Sequence, residues 1–214
     1  MSQSKTKAIF FDFMGTCLDW HSSVVKSMPA SISTDDASKL ALNWRRLYFL
    51  ENEGRFRQNL APEDIDVTLA RVLETALSEA PTWPEVPKAI QSLREDLGLE
   101  VFVHANGTTR LQLDLTRSSG LKFDMLFSSK LLGLYKPNLD AYRKALELVQ
   151  RSPQEVVMVA AHAYDLRAAK VLGMKTIYIY RWTDDIHEDM EQVRGEFDFF
   201  LYSMDDLPNV IKSL

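Results

Sequence analysis

The stretch KAIFFDFMGT, residues 7–16, joins an apolar run to a carboxylate, a glycine and a threonine. Its aromatic and branched residues predict a buried β-strand over Ala8–Phe13. Asp12 lies near the end of that strand, where a charged side chain is costly to bury unless it has a partner or a chemical task. The stretch therefore predicts a strand that ends in a functional site.

Five further apolar runs have the length of a strand and are rich in aromatic or branched residues. They are Leu99–Ala105, Met125–Ser128, Val156–Ala161, Thr176–Tyr180 and Phe197–Tyr202. Helix-like segments alternate with them, over Thr109–Ser118, Asn138–Gln150 and Tyr164–Leu172. Strands that alternate with helices need crossover connections, which predicts an α/β fold built on a parallel sheet.

A long helical interval separates the first two predicted strands. Its periodicity predicts helices over Thr34–Glu53, Glu63–Ala80 and Glu85–Leu97. The stretch APTWP at residues 80–84 breaks this pattern, because proline interrupts helices. We therefore expect a helical cap domain over residues 18–82, inserted after the first strand, and a core domain made of residues 1–17 and 83–214.

The composition limits the classes of partner. With 46% hydrophobic and 26% charged residues over 214 positions, the chain resembles an ordinary globular protein. A net charge of −5 argues against a nucleic-acid surface, which needs clustered Lys and Arg. Neither a membrane-spanning run nor a signal-type segment is visible, so with the single Cys17 we expect a cytoplasmic protein. The aromatic stretch FDFFLY at 197–202 fits either a homodimer contact or a buried edge strand.

Polar side chains follow three of the predicted strands. Asp12 ends the first, Asn106 follows the second, and residues 162–165 follow the strand Val156–Ala161. The carboxyl ends of parallel strands meet at one edge of a sheet, and ligands bind in the crevice at that edge. We therefore expect these side chains to share one site that binds a small-molecule substrate.

Four ordered motifs resemble those of the haloacid dehalogenase-like hydrolase superfamily. They are DFMGT at 12–16, VHANG at 103–107, Lys136–Pro137, and AAHAYD at 160–165. The chain is most similar to the 2-haloacid dehalogenases, whose motifs look like DxYGT, a WR pair in the lid, SNG, KPxxxxY and SSNAWD. Trp44–Arg45 and KPNLDAY at 136–142 match two of these. The resemblance implies a Rossmann-like parallel sheet flanked by helices, with an α-helical cap after the first strand.

The resemblance also implies catalytic roles. Asp12 would attack a carbon atom and form a covalent ester that water cleaves, although a turn cap is the simpler explanation of such a residue. Arg45 would receive a leaving halide and Lys136 would keep Asp12 ionised, unless both are ordinary surface cations. Asp165 would orient Lys136 or polarise water, or else only cap a helix.

His162 departs from the subgroup, which resembles Asn at that position. His162 could act as a base toward water, or it could be a buried histidine that is hydrogen-bonded and has no catalytic part; both interpretations stay open. The residues expected to bind substrate or to shape its pocket are Phe13, Met14, Thr16, Asn106, Gly107, Tyr142 and Tyr164. Core packing of a helix explains Tyr142 equally well.

Three positions weaken the match. Met14 stands where phosphatases of the superfamily have a second acid, and a thioether donates no proton. Only Asp12 and Asp165 remain of the usual acidic magnesium cluster, so we expect neither a metal nor another cofactor. Ala105 and Ala160 replace serines, and each lost hydrogen bond to a charged partner costs about 1.5–3 kcal/mol.

The expected function is therefore a metal-independent hydrolase that acts by default on a small 2-haloacid. The apolar replacements leave room for a larger electrophile such as an epoxide. Two alternatives stay open: a degenerate magnesium-dependent phosphatase, and a non-catalytic binding protein on the same fold, because a fold alone does not confer activity.

Overall fold

A six-stranded parallel sheet forms the centre of the computed structural model, which describes residues 6–28, 33–59 and 82–214. The strands are β1 (Ala8–Phe11), β2 (Glu100–Ala105), β3 (Met125–Ser128), β4 (Val156–Ala160), β5 (Lys175–Ile179) and β6 (Phe199–Leu201). Their order in the sheet is β3-β2-β1-β4-β5-β6. This confirms the predicted α/β class and all six predicted strands.

Helices connect the strands and cover both faces of the sheet. In the described ranges they are α1 (Trp20–Ser27), α2 (Thr34–Arg57), α3 (Val86–Gln91), α4 (Thr109–Ser119), α5 (Ser129–Leu132), α6 (Leu139–Leu148), α7 (Ala163–Val171), α8 (Met190–Glu196) and α9 (Leu207–Ser213). A π-helical turn, Ser92–Asp96, follows α3, and 3₁₀ turns lie at Pro153–Glu155 and Met204–Asp206. No helix of the described residues is long and apolar enough to cross a bilayer.

Strand β1 is buried on both of its faces. Ile9 and Phe11 belong to the core beneath α3, α4 and α9, whereas Ala8 and Phe10 belong to the core beneath α6, α7 and α8. A strand covered on both sides needs no polar alternation, which explains the continuous apolar run.

The register of the central strands brings their carboxyl ends together. Phe11 pairs with Val103 of β2 on one side and with Val159 of β4 on the other. The N–H of Asp12 donates to the carbonyl of Val159 at 3.1 Å. Residues that follow β1, β2 and β4 therefore lie at one edge of the sheet, as the sequence predicts.

The expected cap begins after β1. Helix α2 starts at Thr34 as predicted and ends one turn later than expected, at Arg57. The chain leaves and re-enters the core at one place, because a β-bridge joins Leu18 to Thr82. The predicted helix Glu63–Ala80 lies outside the described residues, and the division into residues 18–82 and the remaining core stays a prediction.

Two side chains hold the loop that follows β1. Trp83 Nε1 donates to the carbonyl of Gly15 at 3.0 Å, and Arg181 Nη2 donates to the carbonyl of Thr16 at 3.3 Å. The Arg181 guanidinium lies 4.6 Å from the Trp83 ring centroid and pairs with Glu85 at 2.7 Å. These contacts satisfy backbone carbonyls that would otherwise be buried without partners, and they fix the loop beside Asp12.

We expect Gly15→Ala to destabilise the protein more than Gly120→Ala. Both glycines have positive φ, +88° and +69°, where an L side chain costs about 1–2 kcal/mol. A Cβ on Gly15 would also overlap the buried carboxylate of Asp184, whereas nothing lies within 4 Å of a Cβ on Gly120. Urea unfolding of the two variants measures the difference, and equal losses would mean that Asp184 moves aside freely.

Candidate active site

Asp12 lies at the carboxyl end of β1 with only 5% of its surface exposed. Its Oδ1 accepts from Lys136 Nζ at 3.1 Å and its Oδ2 accepts from Thr16 Oγ1 at 2.6 Å. Burial alone raises the pKa of Asp12, but Lys136, His162 and Thr16 together lower that pKa to about 2. The carboxylate is therefore ionised and held in one orientation.

Lys136 lies between two buried carboxylates. It pairs with Asp12 and also donates to Asp165, which accepts a second hydrogen bond from the hydroxyl of Tyr142. Burial lowers the pKa of Lys136, but the two carboxylates raise it above its usual value, so the ammonium is charged. Tyr142 is completely buried and contacts Asp165, which in turn holds Lys136. The expected contact of Tyr142 with substrate stays a prediction.

Asn106 and Gly107 follow β2 and contact neighbouring loops. The side chain of Asn106 exchanges two hydrogen bonds with the backbone of Lys136, at 3.1 and 2.8 Å. The N–H of Gly107 donates to Ser129 Oγ at 3.0 Å. Asn106 therefore positions Lys136, and the expected anion-binding role of these groups stays a prediction.

His162 follows β4 and its ring lies among oxygen atoms. Nε2 is 3.4 Å from Asp12 Oδ2 and 3.3 Å from the carbonyl oxygen of Met14, while Nδ1 is 3.3 Å from Asp185 Oδ1. Burial lowers the pKa of His162, but Asp12, Asp185 and Asp184 raise it to about 9. The resting imidazole is therefore protonated, and its expected role as a base toward water stays a prediction.

Arg45 reaches the same place from α2. Its Nη2 donates to the carbonyl of Met14 at 3.1 Å and lies 3.8 Å from Asp184 Oδ1. The guanidinium contacts three aromatic rings, those of Trp20, Tyr48 and Phe49, at 5.2, 5.5 and 4.8 Å. Such rings favour a buried cation. The structure thus brings Arg45 and His162 to one carbonyl, two residues from Asp12.

A cavity of about 490 Å³ opens between α2 and this edge of the sheet. Polar or charged side chains from both sides line it, among them Arg45, Lys136, Asp184 and Asp185, together with the rings of Phe49 and Tyr164. This volume lies in the range of small-molecule sites. This cavity and the buried charges beside it form the candidate active site.

A family model described as haloacid dehalogenase-like hydrolase matches residues 6–173. The chain belongs to this family. It is 29% identical over 196 residues to haloacetate dehalogenase H-2 of Moraxella sp. (strain B), covering 83% of this chain and 87% of that one. A phosphoglycolate phosphatase of Aquifex aeolicus (strain VF5) is 24% identical over 182 residues, 79% of this chain and 83% of its own.

The solved structures include an L-2-haloacid dehalogenase with a TM-score of 0.78 and 27% identity, which covers 98% of this chain and 100% of its own. These comparisons confirm the resemblance to the superfamily and to its dehalogenase subgroup. The protein is therefore a hydrolase.

Three further residues expected to bind substrate differ in how close the structure places them to Asp12: Phe13, Met14 and Tyr164. Phe13 is 1% exposed, and its ring packs against Phe123 in the core with centroids 5.4 Å apart. Its expected contribution to the substrate pocket stays a prediction. The ring turns inward because the core beneath the sheet offers it apolar contacts. Met14 is partly buried against the same core and reaches the site through its carbonyl. Tyr164 stacks on His162 at 5.6 Å.

Sequence reasoning missed Asp184 and Asp185. Asp184 Oδ2 accepts from Thr183 Oγ1 at 2.6 Å and from Trp20 Nε1 at 3.4 Å. Asp185 Oδ2 accepts from the N–H of Ala163 at 2.6 Å. Asp12 directly follows β1, whereas these two acids come five and six residues after the end of β5, in a stretch that the sequence alone gives no reason to place in the site.

A magnesium ion, which the phosphatases of the family imply, does not fit the described side chains. Within residues 6–28, 33–59 and 82–214, no group of three or more His, Cys, Asp or Glu is placed to hold a metal. The oxygen atoms nearest the nucleophile position already face cations: Lys136 and His162 face Asp12, and Arg45 donates to the Met14 carbonyl. A divalent cation would be repelled by these groups.

We expect the stability difference between the wild type and His162→Gln to depend on pH. The folded state binds a proton at His162 with a pKa of about 9, against an ordinary pKa of about 6.5 for an exposed histidine. This stabilisation is complete below the lower pKa and is lost as pH rises through the upper one. The difference in unfolding free energy should shrink by about 3 kcal/mol between about pH 6 and pH 10. A pH-independent difference in urea unfolding would contradict the assigned protonation.

Proposed function

We propose that this hydrolase cleaves the carbon–halogen bond of a 2-haloacid, with Asp12 as the nucleophile. The observation that carries the proposal is the ionised, buried carboxylate of Asp12, which is paired with Lys136. Position 14, where a phosphatase needs a second acid, is a methionine. Halide is a stable leaving group and needs no proton donor. The relatives named as dehalogenases support the same reaction class.

In the first step one oxygen of Asp12 attacks the carbon that bears the halogen. The new carbon–oxygen bond forms as the halide leaves with the bonding electrons, which gives an ester on Asp12. Thr16 and Lys136 orient the carboxylate, so that little rotational freedom is lost on reaching the transition state. Water then attacks the carbonyl carbon of the ester, so the product keeps the configuration inverted in the first step.

Arg45 is proposed to bind the departing halide or the substrate carboxylate. Its Nε is buried and has no hydrogen-bond partner among the described residues. An unpaired buried donor is costly, and an anion would satisfy it. The planar guanidinium presents several donors to an anion, so the site can hold one throughout turnover.

The cavity favours a substrate larger than the small haloacid expected from the motifs. About 490 Å³ exceeds the needs of a two- or three-carbon acid, and Leu42, Phe49 and Phe56 supply apolar lining. We therefore propose a 2-haloacid with a bulky apolar side chain. Asp12 is not itself among the lining residues and adjoins the cavity through its contact with Lys136, which lines it.

Asp12→Asn should reduce halide release at least about 10³-fold, because an amide does not attack carbon. Ion chromatography of halide from a panel of 2-chloro and 2-bromo acids measures this, with Asp205→Asn as the control on an exposed turn. Activity retained in Asp12→Asn would exclude the covalent route. No release by the wild type on any haloacid would favour a non-catalytic binding protein.

A single turnover in ¹⁸O water, with enzyme in excess, should label Asp12 and leave the first product unlabelled. The reason is that the oxygen transferred to the substrate comes from the carboxylate and is replaced from water. Mass spectrometry of the peptide that contains Asp12 detects the label. Label found only in the product would mean that water attacks the substrate directly.

Turnover of haloacids should change by less than about twofold on addition of EDTA, because protein cations occupy the place of a metal. The matched assay uses p-nitrophenyl phosphate with added Mg²⁺, where we expect no release of phosphate. Phosphate release that requires Mg²⁺ and that EDTA abolishes would favour the phosphatase instead.

Values of kcat/KM should rise with the length of the substrate's apolar side chain, by roughly 50-fold from 2-bromopropionate to 2-bromohexanoate, since each of the three added CH₂ groups contributes about 0.8 kcal/mol when buried. Phe56→Ala should narrow this ratio, because Phe56 lines the cavity. Leu148→Ala, at an exposed apolar residue of α6, is the control. A ratio that falls with chain length would contradict the proposed substrate size.

A further inference from the structure

The ring of His162 lies between two carboxylates that meet its two nitrogen atoms. Nε2 is 3.4 Å from Asp12 Oδ2, and Nδ1 is 3.3 Å from Asp185 Oδ1. Only 1% of the residue is exposed, so these neighbours define the environment of the ring. A nucleophile, a base and a third group that orients the base form the usual arrangement for covalent catalysis.

Asp185 is itself held in place. Its Oδ2 accepts from the N–H of Ala163 at 2.6 Å and from the hydroxyl of Tyr178 at 3.1 Å. Its Oδ1 is therefore directed at Nδ1 of His162, where it stabilises the proton on that nitrogen. A hydrogen bond at Nδ1 decides which tautomer a neutral imidazole adopts, so Nε2 is the nitrogen that can accept a proton.

Asp165, the other candidate for water activation, lacks a free oxygen. One of its oxygens accepts from Lys136 and the other from Tyr142. Burial, together with Asp12, raises the pKa of Asp165 even though Lys136 and Tyr142 lower it. Lys136 and Tyr142 nevertheless occupy both carboxylate oxygens, so neither oxygen is free to receive a proton from water. Asp165 is therefore suited to hold Lys136 rather than to deprotonate water.

The proton on His162 depends on the charge of Asp12. The charged groups that meet the ring are Asp12 at the end of β1 and Asp184 and Asp185 from the loop after β5. From α2, Arg45 shares the Met14 carbonyl and Asp184 with the ring, and the Phe49 ring contacts it; from α7, Tyr164 stacks on it. Burial lowers the pKa of His162, and Asp12 is the largest influence that raises it.

We propose that Asp12, His162 and Asp185 form a nucleophile–base–orienting triad in which His162 becomes the base for ester hydrolysis only after Asp12 has been esterified. The assignment rests on the proposed dehalogenase function. Conversion of Asp12 to a neutral ester removes the negative charge 3.4 Å from Nε2, which releases the proton of Nε2 to solvent. The neutral ring then faces the ester.

The steps balance. Alkylation forms one carbon–oxygen bond, breaks the carbon–halogen bond and releases halide, and His162 gives one proton to solvent. Nε2 next takes a proton from water while the oxygen of that water bonds to Cγ of Asp12. The tetrahedral intermediate then breaks the bond between Cγ of Asp12 and the oxygen attached to the substrate carbon. That oxygen leaves with the proton of the new hydroxyl group. The products are a 2-hydroxy acid, the Asp12 carboxylate and protonated His162, with one proton and one halide released overall.

The test is a rapid-quench experiment on His162→Gln and Asp185→Asn with a 2-bromo acid that the wild type turns over. His162→Gln should release one bromide per active site in a burst. It should then turn over at least about 10²-fold more slowly than the wild type, because a general base usually contributes ~10²–10⁴-fold to the rate. The ester should accumulate on the peptide that contains Asp12. Asp185→Asn should show the same pattern with a smaller loss. His21→Gln, a histidine that hydrogen-bonds Ser38 outside the site, is the matched control and should behave as the wild type.

A pH-indicator dye in weak buffer supplies a second readout, because alkylation alone releases no proton. The wild type should release one proton with the bromide burst, and His162→Gln should release none in that phase. Absence of a bromide burst in His162→Gln would place His162 in the first step and overturn the triad. Normal turnover of His162→Gln would also overturn the triad, because the base would then be another group. If the wild type releases no halide from any haloacid, the proposed function fails and this assignment fails with it.

Discussion

The buried ion pair between Lys136 and Asp12 is the interaction on which the site depends. Two charges taken out of water are stable only when further hydrogen bonds satisfy them. Thr16 completes the pair at Asp12, and Asp165 completes it at Lys136. The four side chains come from three separate segments of the chain, so the pair can form only when β1, β4 and the loop before α6 are all in place.

Side-chain cations surround the candidate nucleophile. Lys136 neutralises one oxygen of Asp12, His162 faces the other, and Arg45 is held over the same loop by aromatic rings. Each is confined by burial, so each holds a fixed position without the ligand shell that a divalent ion needs. An environment of this kind suits a leaving group that departs as an anion, because the charges that receive it are already oriented.

The loop after β5 links the fold to the proposed chemistry. Gly15 lacks a Cβ, which leaves room for the carboxylate of Asp184 against the β1 loop. Asp184 and Asp185 then lie beside His162, where they raise its pKa together with Asp12. A change in the packing of one tight turn would therefore alter the protonation of a histidine that lies far away in the sequence.

The sequence by itself determined the sheet and most of the nucleophile's surroundings. The strands could be predicted because both faces of β1 are buried and leave a continuous apolar run, and the ordered motifs pointed to Asp12, Lys136 and Asp165. The inward turn of Phe13 could not be read in this way, since the same residue types fit either a pocket or a core. An acidic pair such as Asp184 and Asp185 normally indicates a solvated loop, and only folding buries it.

Only the tertiary structure decided the charge of His162. Its nearest acids are 150 residues away in one direction and about 20 in the other, yet all lie within 4 Å of the ring. Electrostatic energy depends on distance through space and on exclusion of water, and neither quantity is written in the spacing of residues along a chain. The sequence could name the groups, but the fold had to place them before their protonation had a definite value.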